Sequence, residues 1–141
     1  MKKILFPVED LNIPEKALAM AIEFARSFSA EVLVLHVQPF TETAVYPYAH
    51  LSDPWDEEAM NQISRRITDN AQNQFAAAGI PAKTRIVLGD PAAEILECAV
   101  EEHCDLILMS THGMGTVKRF LLGSVANRVV LHAKTPVLVV R

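Results

Sequence analysis

The most constraining feature of this sequence is a regular alternation of short apolar runs with longer amphipathic segments. The apolar runs have the length and the β-branched residues of strands, whereas the segments between them repeat apolar residues every three or four positions, as helices do. The predicted strands span residues 2–8, 31–37, 82–88, 105–109 and 136–141. This order predicts an α/β fold built from strand–helix–strand units.

Local signals mark where the predicted helices begin and end. Asn12 is a capping residue before the first helix, and an early proline and a glutamate follow it. Gly79 ends the second helix, which starts near residue 54. Asp90 caps the third, whose predicted buried stripe is Ile95, Leu96, Ala99 and Val100. A short fourth helix covers residues 124–132.

The connections between these elements predict the topology. Strands joined through helices by right-handed crossovers form a parallel sheet between two helix layers. The nearly continuous apolar run at 31–37 is typical of a strand covered on both faces. We therefore expect a single domain over residues 1–141: a doubly wound, open, Rossmann-like sheet of five parallel strands in the order 3-2-1-4-5, with helices on both faces.

This topology predicts where a ligand binds. In open α/β sheets the site lies outside the carboxyl ends of the strands, where the strand order reverses. In the order 3-2-1-4-5 that point falls between strands 1 and 4. Their carboxyl ends carry the segments 7–10 (Pro-Val-Glu-Asp) and 109–113 (Met-Ser-Thr-His-Gly).

Several function classes lack their sequence signals. The chain has no GxGxxG after strand 1, no GxxxxGK[ST] loop and no GxSxG elbow. Its five histidines show no paired ligand spacing, so no metal site is predicted. Cys98 and Cys104 show no CxxC spacing and are predicted to be buried thiols.

Charge and hydropathy limit the partners and the compartment. The net charge of −4 argues against a protein that coats nucleic acid or an anionic membrane. No apolar run approaches the length of a membrane span, and the N-terminus lacks the apolar stretch and cleavage site of a signal peptide. A cytoplasmic protein is expected.

The segment 110–125 has the features of a phosphate-binding loop. It leaves strand 4 and ends at a predicted helix N-terminus, where unpaired N–H groups favour anions. Gly113 and Gly123 would let the backbone approach a phosphate, Ser124 can cap the helix and offer a hydroxyl, and Lys118 and Arg119 add positive charge. The alternative is a plain connection in which the glycines make turns, the serine only caps and the basic residues are solvated.

The whole chain also resembles the universal stress protein family. The family pattern is Gly, two residues, Gly, nine residues, Gly, then Ser or Thr; Gly113, Gly123 and Ser124 fit it, whereas Ser110 stands where the first glycine is expected. Further resemblance lies in KKILFPV at the start, VLHV in strand 2, LLGSVANRVV after the loop and TPVLVVR at the end.

This resemblance implies an ATP or AMP site, with Mg²⁺ accompanying ATP. By likeness to nucleotide-binding members, the segment 113–125 contacts phosphates and ribose, main-chain groups near Val37 meet the adenine, and Glu9 stands where members carry Asp. The implied role is a stress-response or signalling protein whose nucleotide occupancy sets its conformation or its protein partners. The predicted nucleotide site comprises Pro7, Val8, Glu9, Val37, Met109, Ser110, His112, Gly113, Gly123, Ser124 and Val125.

Other functions remain open on the sequence alone. No nucleophile has a neighbouring base, so no catalytic residue is predicted and any ATP hydrolysis should be slow and incidental. The alternatives are a nucleotide-free stress protein acting by dimerisation and partner binding, a hydrolase or nucleotidyl transferase on the same fold, and a receiver-like domain phosphorylated on Asp90. A receiver also needs a lysine after strand 5, whereas Lys134 precedes that strand.

The C-terminal strand predicts an assembly. Residues 137–140 are apolar, without an interior charge or proline, and this strand should form an edge of the sheet. An uncovered apolar edge invites pairing with another chain, so we expect a homodimer through residues 137–141. The long connection at 38–53 with Tyr46 and Tyr48, together with Trp55, is a candidate lid or partner surface, or simply aromatic packing under a loop.

Overall fold

A computed structural model describes residues 1–39, 54–111 and 122–141 of the chain. Each predicted strand and helix is present there, and their ends differ from the prediction by a residue or so. The elements are β1 (Lys3–Pro7), α1 (Glu15–Phe28), β2 (Glu31–Gln38), α2 (Pro54–Ala77), β3 (Ala82–Leu88), α3 (Pro91–Glu101), β4 (Leu106–Ser110), α4 (Ser124–His132) and β5 (Val137–Val140).

The five strands form one parallel sheet in the order β3-β2-β1-β4-β5, which confirms the predicted topology. Each face of the sheet has its own apolar core. On one face Val32 and Val34 pack with Phe6 and with Phe75 of α2, whose ring meets that of Phe6 edge-on at 5.2 Å. On the other face Leu33 and Leu35 pack against α3 and α4. The helix layers therefore bury the central strands β2, β1 and β4, whereas β3 at the edge has several exposed side chains.

Two predictions about the helices are wrong. Asn12 does not cap α1, which begins at Glu15 with Pro14 in the cap position and no side-chain cap. The Asn12 N–H instead donates to Asp10 Oδ1 at 2.7 Å, so these residues form a local turn before the helix. Val100, predicted to lie in the buried stripe of α3, is 57% exposed, because the helix buries Ala99 and so turns the next side chain outward.

Both cysteines are buried free thiols, as predicted, and burial raises the pKa of each, that of Cys104 to about 12. No helix among the described residues combines the length and apolar character that a membrane span needs.

Candidate functional site

A cavity of about 470 Å³ lies at the carboxyl ends of β1 and β4, where the topology predicts a ligand site. Its volume falls in the ordinary range of small-molecule pockets. Nine predicted site residues line it: Pro7, Val8, Glu9, Val37, Met109, Ser110, Gly123, Ser124 and Val125. His112 and Gly113, like Lys118, Arg119, Tyr46 and Tyr48, lie outside the described residues.

The cavity wall also contains residues that the sequence did not single out. Some come from the β1–α1 connection and the start of α1, which the rule about strand ends could have included. Others come from β2 and from the first turns of α3 and α4, and only the packed sheet brings them here. They are Phe6, Asn12, Ile13, Pro14, Ala17, Leu35, His36, Pro39, Pro91, Ile95 and Ala126. Asp10 and Thr111 also line the cavity, and they belong to the strand-end segments 7–10 and 109–113 that the topology predicts there.

The first wall of the cavity is the end of the β1–β2 pair. The Val8 N–H donates to the Leu35 carbonyl at 2.9 Å, and His36 Nδ1 lies 2.9 Å from the Val8 carbonyl oxygen. Because a carbonyl only accepts, Nδ1 carries the proton and donates. His36 is 7% exposed, so this hydrogen bond satisfies two buried polar groups beside the cavity.

The opposite wall is the junction of β4 with α4. The Gly123 N–H donates to the Thr111 carbonyl at 2.8 Å, and the Thr111 N–H donates to the Val140 carbonyl at 3.0 Å. These bonds tie the entry of α4 to the end of the sheet. The helix N-terminus therefore faces the cavity, and its first N–H groups have no acceptor within the helix.

Ser124 does not have the predicted capping role. Gly123 occupies the cap position, its carbonyl accepts from the Asn127 N–H at 2.9 Å, and no side chain caps the helix. Ser124 is the first helical residue and lines the cavity. Its hydroxyl is therefore not engaged in capping the helix. The start of α4 can offer both this hydroxyl and backbone N–H groups to an anion.

An ion pair joins α3 to α4 next to the cavity. Asp90 caps α3 as predicted, accepting from the Ala93 N–H at 3.0 Å, while its two carboxylate oxygens each lie 2.9 Å from a guanidinium nitrogen of Arg128. The hydrogen bonds from Arg128 and from the Ala93 N–H hold the pKa of Asp90 below its usual value. Both oxygens are thus engaged in structural contacts, which weighs against a phosphate-accepting role for this aspartate.

Lys134 also fails the geometry of a receiver. It lies between α4 and β5, before the amino end of that strand, whereas the cavity is at the carboxyl ends. Among the residues that the structure describes, no group of three His, Cys, Asp or Glu side chains is arranged to hold a metal ion.

The likeness to known proteins extends over the whole chain. The model of the universal stress protein family matches residues 1–141. A universal stress protein of Thermus aquaticus is 34% identical over 99% of this chain and 98% of its own length, and universal stress protein YxiE of Bacillus subtilis is 30% identical over 99% and 98%.

Solved structures give the same likeness. UspA of Lactobacillus plantarum superposes with a TM-score of 0.80 at 26% identity, covering 99% of this chain and 97% of its own. A universal stress protein of Archaeoglobus fulgidus, solved in complex with dAMP, superposes with a TM-score of 0.68 at 21% identity, covering 100% and 98%.

Proposed function

The chain belongs to the universal stress protein family, and on that premise we propose that it binds an adenine nucleotide, AMP or ATP, in the cavity between β1 and β4. One observation carries this proposal. Four separated stretches of sequence line the same cavity of about 470 Å³. Strand order or the loop pattern predicts three of them to contact the ligand, and the family resemblance predicts the fourth, at Val37. A chance set of surface residues would be scattered over the molecule.

The chemistry of the walls supports the orientation of the nucleotide. The N-terminus of α4, with Gly123, Ser124 and Val125, offers backbone N–H groups and a partial positive charge, which suit phosphate. The end of the β1–β2 pair, with Val8 and Val37, offers apolar surface and backbone polar groups, which suit a purine base. Glu9 is exposed at the rim, where its carboxylate can accept from a ribose hydroxyl.

The relative from Archaeoglobus fulgidus was solved with dAMP. At its level of identity the likeness concerns the fold, so the assignment for this chain rests on its own cavity residues. The dAMP of that complex is an adenine nucleotide, which is the ligand class that we propose for this chain.

We propose binding rather than turnover as the activity. The sequence offers no nucleophile with a neighbouring base, which supports this proposal. The nucleotide, with Mg²⁺ when it is ATP, would then act as a stress or signalling input that changes which protein partners the surface favours. Hydrolysis of ATP at ordinary enzyme rates, on the order of 10 per second, would contradict this proposal.

The edge of the sheet supports a homodimer as the assembled form. β5 is the last strand in the sheet order, and among the described residues it pairs with β4 alone. Val137, Leu138 and Val139 are only half-buried, and Leu131 of the adjacent α4 is 68% exposed. Pairing of β5 with its copy across a two-fold axis would cover both the unpaired backbone groups and these apolar side chains.

A retention experiment tests the ligand class. The purified protein is incubated with an equimolar mixture of AMP, ATP, GMP, GTP and CTP, desalted, denatured and analysed by chromatography. Adenine nucleotides should be retained over the others. Retention of none, or of all in equal amounts, would overturn the proposal.

A further inference from the structure

The β1–β2 ladder ends in an unusual way beside the cavity. The two strands pair in register from Lys3–Glu31 to Pro7–Leu35. One more step of a parallel ladder would bring the Val37 N–H to the Val8 carbonyl. The pairing stops before that step, and the Val8 carbonyl accepts from His36 Nδ1 at 2.9 Å instead. A side chain has taken the place of a backbone donor.

The direction of the Val37 backbone follows from its neighbours. Along a strand, the N–H and C=O of successive residues face alternate sides. The Leu35 carbonyl accepts from the Val8 N–H on the β1 side, and the Gln38 carbonyl accepts from the Gly89 N–H on the β3 side. Val37 therefore directs its N–H and C=O toward the β1 side, at the level where β1 has ended and the cavity begins.

We propose that His36 is a positioning residue for recognition of the base. By binding the Val8 carbonyl at the point where the β1–β2 ladder stops, it competes with the Val37 N–H for that oxygen and so keeps the Val37 N–H and C=O available as a donor–acceptor pair. That pair complements the edge of adenine, where ring N1 accepts and the 6-amino group donates. The base-recognition step rests on the proposed nucleotide function, whereas the opening of the ladder is a property of the free protein.

The free protein provides the first test. Amide hydrogen exchange, measured by NMR without ligand, should show fast exchange at Val37 and protection at Leu35, whose N–H lies in the ladder. In His36→Leu the Val8 carbonyl loses its donor and the ladder can close by one bond, so exchange at Val37 should slow by about tenfold or more. His36→Asn keeps an N–H donor close to the position of Nδ1 and should behave as the wild type.

The second test uses AMP and ribose 5-phosphate, with affinities measured by NMR titration. His36→Leu should weaken AMP binding by about tenfold and leave ribose 5-phosphate unchanged, because only the base loses contacts. His36→Asn should restore AMP binding. A purely structural role for His36 would weaken both ligands alike.

The outcomes separate the two claims. The opening of the ladder is overturned if the Val37 amide of the free wild type is as protected from exchange as that of Leu35. It is also overturned if His36→Leu leaves the exchange rate of Val37 unchanged. Equal loss of AMP and ribose 5-phosphate overturns the role in base recognition. A wild-type protein that binds no AMP overturns the proposed function and the recognition step with it, while the exchange data still decide whether His36 opens the ladder.

Discussion

At the scale of single residues, Gly123 joins the end of the sheet to α4, the helix proposed to bind phosphate. Its φ of −59° and ψ of 158° are open to any residue, so the backbone conformation does not explain why glycine is here. The residue lines the cavity and donates its N–H to the Thr111 carbonyl. We propose that the absence of a side chain here leaves space for a ligand next to the main chain.

The first prediction follows from that space. Gly123→Val should lower the affinity for AMP and ATP by about a hundredfold, because the side chain occupies the volume of a phosphate. Its melting temperature should stay near that of the wild type, since φ and ψ are tolerated. Calorimetric titration and a thermal melt measure the two quantities.

Ser110→Gly is the matched control on the opposite side of the same loop. It restores the family residue at the end of β4, and binding should be unchanged or tighter. A folded Gly123→Val variant with wild-type affinity would refute the phosphate assignment. A large loss of affinity in Ser110→Gly would show instead that the serine makes a specific contact with the nucleotide.

At the scale of elements, the start of α3 depends on one carboxylate. Asp90 caps the helix and pairs with Arg128 of α4, so it fixes two helices that border the cavity. Its folded-state pKa is lowered, first by the hydrogen bond from Arg128 and then by that from the Ala93 N–H. A carboxylate with a lowered pKa stabilises the fold above its unfolded pKa, and this contribution disappears as the pH falls through the folded pKa.

The second prediction concerns stability against pH. Asp90→Ala should lower the free energy of unfolding by about 1 kcal/mol near neutral pH, since the cap is lost. Asp90→Asn keeps a capping oxygen and removes only the charge, so its deficit should be smaller and steady down to about pH 5, then shrink as the pH drops below about 4. Denaturant unfolding at several pH values measures this. A deficit in Asp90→Asn that does not change with pH would contradict the role of the charge.

The elements also show why some features are predictable and others are not. The Asp-Pro cap of α3 is a local signal, so the sequence identifies Asp90, but Arg128 lies 38 residues away and no local pattern links them. The sequence does not distinguish His36 from the other four histidines, because its contact with the Val8 carbonyl exists only once β1 and β2 are paired. Gly79 is a visible stop signal with φ +77°, whereas Ser29 ends α1 at φ 51° without a glycine.

The residues of the candidate site also fall into a predictable group and a group that the sequence does not predict. The residues at strand ends, such as Val8 and Met109, are predictable because topology alone places them at the switch point. The residues of α3 that form part of the cavity wall, Pro91 and Ile95, depend on how that helix packs across the sheet. Packing angles between distant elements are tertiary information, and hydrophobic periodicity does not carry them.

At the scale of the whole molecule, the proposed dimer depends on β5, which is the last strand in the order of the described sheet. The Ile107 N–H donates to the Pro136 carbonyl, and the Thr111 N–H donates to the Val140 carbonyl. The backbone N–H and C=O groups of the even-numbered residues of β5 therefore point toward β4. By alternation, the Val139 N–H points away from β4, which is the direction in which the proposed partner strand would lie.

The third prediction uses this direction. Val139→Pro removes an outward N–H and leaves the β4–β5 ladder in place, so the chain should fold as a monomer while the wild type sediments as a dimer at micromolar concentration. Val139→Thr keeps the N–H and a similar shape, and should remain dimeric. A wild-type monomer, or a folded and fully dimeric Val139→Pro variant, would show that β5 is not the interface.

The central claim is that the cavity between β1 and β4 holds an adenine nucleotide. The most direct test is calorimetric titration of nucleotide-free protein with AMP, ATP and GTP at two temperatures. Binding that buries apolar surface has a negative heat-capacity change, so the enthalpy of binding depends on temperature. If that enthalpy is zero at one temperature, it is measurable at the other. We predict saturable binding of AMP or ATP at one nucleotide per chain, and an affinity about a hundredfold lower in Gly123→Val. Absence of heat with both adenine nucleotides at both temperatures, or equal binding by the wild type and Gly123→Val, would contradict the account.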